Sequence, residues 1–228
     1  MKSNIKIQCL KDLDEISNVA FDIFSEVHQN TANRFYIVPG GTTPSLFLNL
    51  MSEKIENWSN TQIILSDERI VDDKRLSNES MVDEALMMKI DRNEKPVLLK
   101  YNRNGNQTEV ETILKNQSPN IAILGLGHDG HTASLFSGNS EILNENGKNC
   151  LRVKNSWEDY DRVSLSFSYL MKSDRIIFMV SGDKKAEALK ECVAGDYNPI
   201  QFPAQYIFHN FQKSIHIFCD KSAGKHIK

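Results

Sequence analysis

Short apolar runs that stop at glycine-rich turns, separated by segments of helical period, constrain this chain more than any single motif does. Ile5–Cys9 alternates as a strand. Ile16, Val19, Ala20, Ile23, Phe24 and Val27 then keep the i, i+3, i+4, i+7 spacing of an amphipathic helix. Phe35–Val38 is a buried-strand run that stops at Pro39-Gly40-Gly41. After it, Thr43 reads as an N-cap with Pro44 in the first helical position, and Leu46, Phe47, Leu50 and Met51 share one face. Gln62–Leu65, Ile121–Leu124, Arg175–Val180 and Ser214–Cys219 are further strand runs, with a weaker one at Val97–Leu99 and an alternating one at Arg162–Phe167. Helical patterns fill Asn78–Met88, Thr108–Lys115 and Lys184–Val193 between them.

Strands joined through helices require right-handed crossovers, so the pattern predicts an α/β fold: a doubly wound, mostly parallel sheet with helices on both faces. No Pro-, Gly- or Ser-rich linker and no repeat interrupts it, and residues 1–228 read as a single domain with its longest excursion at Ser137–Asp161. A 40% hydrophobic content is enough for a sizeable core. Net charge of −3 argues against general nucleic-acid affinity, which needs a basic face. Cys9, Cys150, Cys192 and Cys219 are scattered without a CxxC pair, which reads as reduced, structural thiols. The N-terminal MKSNIKIQCLKDLDE lacks the apolar core of a signal peptide, and no apolar run approaches the roughly 20 residues that span a bilayer. The expected location is the cytoplasm, without a membrane partner.

In an open α/β sheet the chemistry gathers beyond the carboxyl ends of the strands, so the turns that follow them carry the functional reading. Gly40, Gly41, Thr42 and Thr43 lie between a strand and a helix. Backbone N–H groups, two hydroxyls and the positive helix end there suit a phosphate; a plain tight turn is the alternative. No Gly-Lys-Ser/Thr follows, so it is not a Walker A loop. Ser66-Asp67-Glu68-Arg69 follows the next strand at the same sheet end, where Arg69 can bind substrate oxygens and the acids can orient it; exposed, the same residues would be solvated ion pairs.

Asn120–Gly138, NIAILGLGHDGHTASLFSG, is the most informative stretch. Gly125 to Gly130 satisfies GxGxxG, but only a short helix, about Thr132 to Phe136, fits after it, and no strand ending in an acid follows. A dinucleotide site needs both. His128 and His131 have HxxH spacing without further ligands, so no metal is expected. Asp129 and His131 remain, flanking a glycine: a carboxylate that fixes an imidazole's tautomer makes it a better general base toward water, and a structural histidine is the alternative. Arg162 opens a strand and Lys185 a helix, where a cation opposes the macrodipole unless an anion binds; surface solvation is the plain reading of both. His28, His209, His216 and His226 have no partner identifiable from sequence, and Met87-Met88 and the phenylalanines on apolar faces read as core.

Taken in order, GGTTP, SDER, GLGHDGHTASLF, RVSLSF and SGDKKA, from about Phe35 to Ala194, resemble the 6-phosphogluconolactonase family, within the wider superfamily of glucosamine-6-phosphate deaminases and related sugar-phosphate isomerases. The deaminase counterparts typically read DEY and, after DGH, IAFNEP. This chain has Arg69 in place of the tyrosine and Ala133-Ser134-Leu135-Phe136 without an acid, which favours a lactonase. Ser137 replaces the usual proline after SLF, a departure in the turn.

The resemblance implies water-driven opening of 6-phospho-D-glucono-1,5-lactone to 6-phospho-D-gluconate in the oxidative pentose phosphate pathway. It implies that Gly40, Gly41, Thr42 and Thr43 hold the phosphate with Lys185 and Arg162 as counter-cations, that His131 is the general base and that Asp129 orients it. Arg69, Arg162 or N–H groups near Gly127–Gly130 would stabilise the oxyanion. No cofactor, metal or nucleotide is implied, the partner is the phosphosugar lactone, and the chain would be a monomer or homodimer. The alternatives are a glucosamine-6-phosphate deaminase or isomerase-like enzyme and a non-catalytic sugar-phosphate sensor.

Overall fold

The computed structural model describes residues 4–91, 93–102, 107–154 and 160–227. Seven parallel strands form the central sheet: β1 Ile5–Leu10, β2 Arg34–Val38, β3 Thr61–Leu65, β5 Val97–Leu99, β6 Ile121–Gly125, β9 Arg175–Val180 and β10 Ser214–Asp220, in the order β1-β10-β9-β6-β2-β3-β5. From β2 the chain adds β3 and β5 on one side, then returns to place β6 on the other. The strand order therefore reverses between β2 and β6, where the loops at the carboxyl ends diverge and leave a crevice.

Consecutive residues of the central strands are buried: Tyr36 and Ile37 in β2, Ile63 and Ile64 in β3, Ile123 and Leu124 in β6. Since neighbouring side chains point to opposite faces, both faces are covered, as expected for a parallel sheet. Helix α1 (Leu13–Gln29) starts where the Asp12 carboxylate accepts the Glu15 N–H at 3.1 Å and Glu15 reaches back to the Lys11 N–H at 2.6 Å, a reciprocal cap. Its buried face brings Phe24 edge-on to Tyr36 of β2 and to Phe47 of α2 (Ser45–Lys54), with centroids 4.7 and 5.7 Å apart. α2 packs in turn on α3 (Asn78–Ala85). On the C-terminal side α6 (Ala186–Ala194) packs on α7 (Ala204–Asn210). The helix expected at Thr108–Lys115 is α4, with those bounds.

Two expectations need correction. Thr43 does not cap α2: Pro44 occupies the N-cap position in helical backbone geometry with no side-chain cap hydrogen bond. Nor does a helix follow His131. Thr132 and Leu135 instead form an isolated bridge around Ala133, whose φ is +50°. The sequence pattern also misses a three-stranded antiparallel sheet of β4 (Asp67–Arg69), β8 (Arg162–Leu165) and β7 (Cys150–Val153), and the short helix α5 (Phe167–Leu170) that ends the RVSLSF run. Strand β4 reads Asp-Glu-Arg and is held by polar pairing, so hydrophobic periodicity carries no trace of it. Register in this small sheet sets Arg69 opposite Arg162 and Asp67 opposite Ser164.

Candidate active site

A cleft of about 420 Å³ opens at the carboxyl ends of β2, β3, β6 and β9. Gly40, Gly41, Thr42, Thr43, Asp67, Arg69, Arg162, Lys185 and His131 all line it, and Asp129 stands behind His131. Residues up to 145 positions apart in sequence thus meet because every one follows, or is paired to, the carboxyl end of a parallel strand.

Loop 40–43 turns at Gly41, with φ +95°, before α2 begins. A Cβ on Gly40 would collide with the Asn78 side chain, so the loop is pressed onto the first residue of α3. Asn78 is itself fixed, donating from Nδ2 to the Asp67 carbonyl at 3.0 Å.

The acids of β4 have separate tasks. Asp67, buried, accepts Ser66 Oγ at 2.8 Å and Ser134 Oγ at 2.6 Å, and lies 3.7 Å from the Arg162 guanidinium. Buried Glu68 accepts the backbone N–H groups of Arg69, Asn78 and Glu79 at 2.6, 2.8 and 2.6 Å and the Ser77 hydroxyl at 3.0 Å. Two of those N–H groups belong to the first turn of α3, where the helix dipole favours a carboxylate. Glu68 therefore clips β4 to α3 and, through Asn78, to loop 40–43. Arg69 donates to the Leu76 carbonyl at 2.7 Å, while its Nε is buried without a hydrogen bond among the described residues.

His131 Nδ1 lies 2.5 Å from Asp129 Oδ1, and the same oxygen accepts the His131 backbone N–H at 3.2 Å. Burial alone would raise the Asp129 carboxyl, but the hydrogen bond and positive charge offered by His131 outweigh it and bring the pKa to about 2. A Cβ on Gly127 would run into the imidazole and the Asp129 carboxylate, which is why that position is glycine. The imidazole packs edge-on against Phe136 at 5.1 Å, and Arg162 lies between the Phe136 and Tyr160 rings at 5.7 and 5.3 Å. Lys185 Nζ donates to the Leu126 carbonyl; partial burial pushes its pKa down, with the Asp129 charge opposing that shift. The turn ahead of Lys185 hangs on Asp220, whose Oδ2 accepts Ser181 Oγ at 2.6 Å and Gly182 N–H at 2.9 Å.

This arrangement offers a carboxylate-oriented imidazole, three cationic side chains and a glycine-threonine loop at a helix N-terminus, facing one space. That is the equipment for activating water beside an anionic ligand. Sequence reasoning missed Asn78, Ser134, Phe136 and Asp220. Ser134 and Phe136 lay inside the DGHTASLF motif, but nothing in the chain marked Asn78 or Asp220, whose roles arise from contacts across the fold.

Residues 14–217 match the family described as glucosamine-6-phosphate isomerases/6-phosphogluconolactonase. A 6-phosphogluconolactonase of Helicobacter pylori is 29% identical over 96% of each chain, and one of Neisseria meningitidis is 26% identical over 79% of this chain and 82% of its own. Among solved structures, 6-phosphogluconolactonase from Leishmania guyanensis superposes with a TM-score of 0.85 at 18% identity, covering 98% of each chain. A monomeric glucosamine-6-phosphate deaminase superposes with a TM-score of 0.80 at 16% identity, covering 97% of this chain and 99% of that one, so the fold is common to both activities. With its mostly parallel sheet, its carboxyl-end cleft and a match that runs through nearly all of its length, the chain belongs to the glucosamine-6-phosphate isomerase/6-phosphogluconolactonase family.

Proposed function

We propose that this cleft hydrolyses 6-phospho-D-glucono-1,5-lactone to 6-phospho-D-gluconate, the lactone-opening step of the oxidative pentose phosphate pathway. The observation that carries the reading is the His131–Asp129 pair. Asp129 engages Nδ1, which leaves Nε2 as the ring nitrogen for a water molecule. In this mechanism His131 takes a proton from water as it attacks the lactone carbonyl, and returns it to the ring oxygen as the C–O bond breaks. Asp129 holds the tautomer and stabilises the imidazolium.

The substrate phosphate sits in loop 40–43, at the N-terminus of α2, with Lys185 and Arg162 as counter-cations. Asp67 holds Arg162 in place. Arg69, which lines the cleft, stabilises the tetrahedral oxyanion. The lactone is already an activated ester, so proton transfer and charge stabilisation are sufficient chemistry.

Two features favour the lactonase over the deaminase that shares its fold. The curated relatives named above are lactonases. The turn after His131 also presents Ala133, Ser134 and Phe136 where an acid would be needed for ring-opening of an amino sugar. Among the described residues no helix is long and apolar enough to cross a membrane. The reading places the protein in the cytoplasm as a monomer or homodimer acting on a small molecule, with no nucleic-acid partner.

A coupled assay tests it: glucose-6-phosphate dehydrogenase generates the lactone, and 6-phosphogluconate dehydrogenase reports its opening. The protein is expected to accelerate the second step above the spontaneous rate. No acceleration overturns the reading, and ammonia release from glucosamine-6-phosphate would replace it with a deaminase.

A further inference from the structure

The proposed chemistry uses no thiol, yet two of the free cysteines meet. Cys9 on the edge strand β1 and Cys219 on β10 are register partners, and their sulfurs are 3.3 Å apart. Neighbouring strands hold paired Cα atoms about 5 Å apart, inside the window of roughly 4.4–6.8 Å that a disulfide spans. Cys9 is exposed and Cys219 buried, so one sulfur meets solvent and its partner waits behind it. The turn after β10 closes over both: a Cβ on Gly224 would lie 2.5 Å from the Cys9 sulfur and 2.9 Å from that of Cys219. The other two cysteines, Cys150 and Cys192, are buried.

We infer that Cys9 and Cys219 form an oxidative modification site, closed to a reversible disulfide by a two-electron oxidant of the peroxide class. The Cys9 thiolate attacks a peroxide oxygen; an S–O bond forms, the O–O bond breaks, and the departing hydroxide takes up the thiol proton to give water. Cys219 then attacks the sulfenic sulfur. An S–S bond forms, the S–O bond breaks, and the leaving hydroxide takes the Cys219 proton as a second water. Two thiols are oxidised and one peroxide is reduced, and a dithiol reverses the change. Burial, with the Cys9 sulfur and the Asp220 carboxylate beside it, pushes the Cys219 thiol up to about 12, which suits the resolving sulfur rather than the first to react.

The position of the pair gives the modification a route to the cleft. Asp220 follows Cys219 directly and is the anchor of Ser181 and Gly182, ahead of Lys185. Drawing Cys219 toward Cys9 moves that anchor. This consequence rests on the functional reading above, since it assigns Lys185 to the substrate phosphate.

Peroxide treatment of the intact protein, followed by alkylation and non-reducing digestion, is the test. The expected product links the Cys9 and Cys219 peptides and is lighter by the two lost hydrogens, with Cys150 and Cys192 still alkylated as thiols. Dithiothreitol should reverse it, and Cys219→Ser should leave Cys9 as a dimedone-reactive sulfenic acid. Over-oxidation of Cys9 beside an alkylatable Cys219, or no reaction at either sulfur, overturns the site. In the coupled assay the cross-linked protein should show at least about a twofold change in KM that Cys9→Ser abolishes, the size expected of a small misplacement of a binding group. Equal KM in reduced and cross-linked protein overturns the route to the cleft, whereas a reduced protein with no activity overturns the functional reading instead.

Discussion

At the amino ends of β2, β3 and β5 lies a cleft of about 940 Å³, against about 420 Å³ at the carboxyl ends. The larger one is walled in part by amides such as Asn57, Asn60, Gln62, Asn93 and Gln117, alongside Glu56, Glu94 and Lys95. Its arginine is spent on structure: the Arg34 guanidinium donates to the carbonyls of His28 and Ser59, each at 2.9 Å. The histidine near it, His28, is buried against Phe24 and Trp58, with its ring nitrogens on the Asn57 carbonyl and the Tyr36 hydroxyl. Burial pushes the pKa of His28 down, toward a neutral ring. His131 lines the smaller cleft and has a carboxylate on Nδ1. On the proposed reading strand polarity, not volume, marks the chemistry, because parallel strands deliver every βα turn and helix N-terminus to the same end.

Truncation on each side gives the sharpest contrast. His131→Ala is expected to lower kcat about 10²–10⁴-fold with product binding nearly intact. Gln117→Ala, in the larger cleft, should leave kcat within about twofold, as surface changes away from the chemistry do. Equal losses at the two sites, measured in the coupled assay, would erase the distinction between the sheet ends. Lys185→Ala should raise KM about 10-fold or more while kcat changes little, because it removes a contact made equally in ground and transition states. If phosphate-free gluconolactone were opened as well as the phosphorylated one by the unaltered protein, the placement of the phosphate would fall.

Two buried-end carboxylate clips refine the contrast at smaller amplitude. Glu68 holds four donors at the cleft wall, whereas among the described residues Glu111 accepts Cys150 N–H at 2.7 Å and Asn149 Nδ2 at 2.9 Å, away from it. Replacing either with alanine leaves donors unpaired and should cost about 1–3 kcal/mol for each one left buried without water. Only Glu68→Ala should also raise KM, by about 3–10-fold, since a displaced Asn78 loosens loop 40–43. A matching rise in Glu111→Ala would reduce Glu68 to general stability.

The smallest effect is on stability against pH. Asp129 is held at about 2 in the folded protein against an ordinary 3.8. Its contribution, on the order of 2 kcal/mol, is therefore present above the unfolded value and lost as pH falls from about 4 toward 2. Melting curves of wild type and Asp129→Asn should differ at neutral pH and converge at the acid end. A constant gap would mean that the carboxylate is not the stabilising species.

What the chain determined alone was local and periodic. Apolar runs such as Ile121–Leu124 and Arg175–Val180 can be satisfied only inside a sheet covered on both faces, and the helical periods between them force parallel pairing. Gly127 ahead of Asp129 and Gly130 between Asp129 and His131 marked a candidate catalytic turn because the two residues are neighbours, and their contact needs little from the rest of the fold. Tertiary structure decided the remainder. The Asp-Glu-Arg strand survives burial because Glu68 and Asp67 find donors on Ser77, Asn78, Glu79 and Ser134, residues with no pattern linking them in sequence. The placement of Arg162, between Phe136 and Tyr160 and across from Arg69, follows from antiparallel register in a sheet whose charged edge strand had no hydrophobic signature. Hydrophobic burial leaves a periodic trace in the sequence, but polar networks are written only in three dimensions, because each partner is chosen by where the fold brings it.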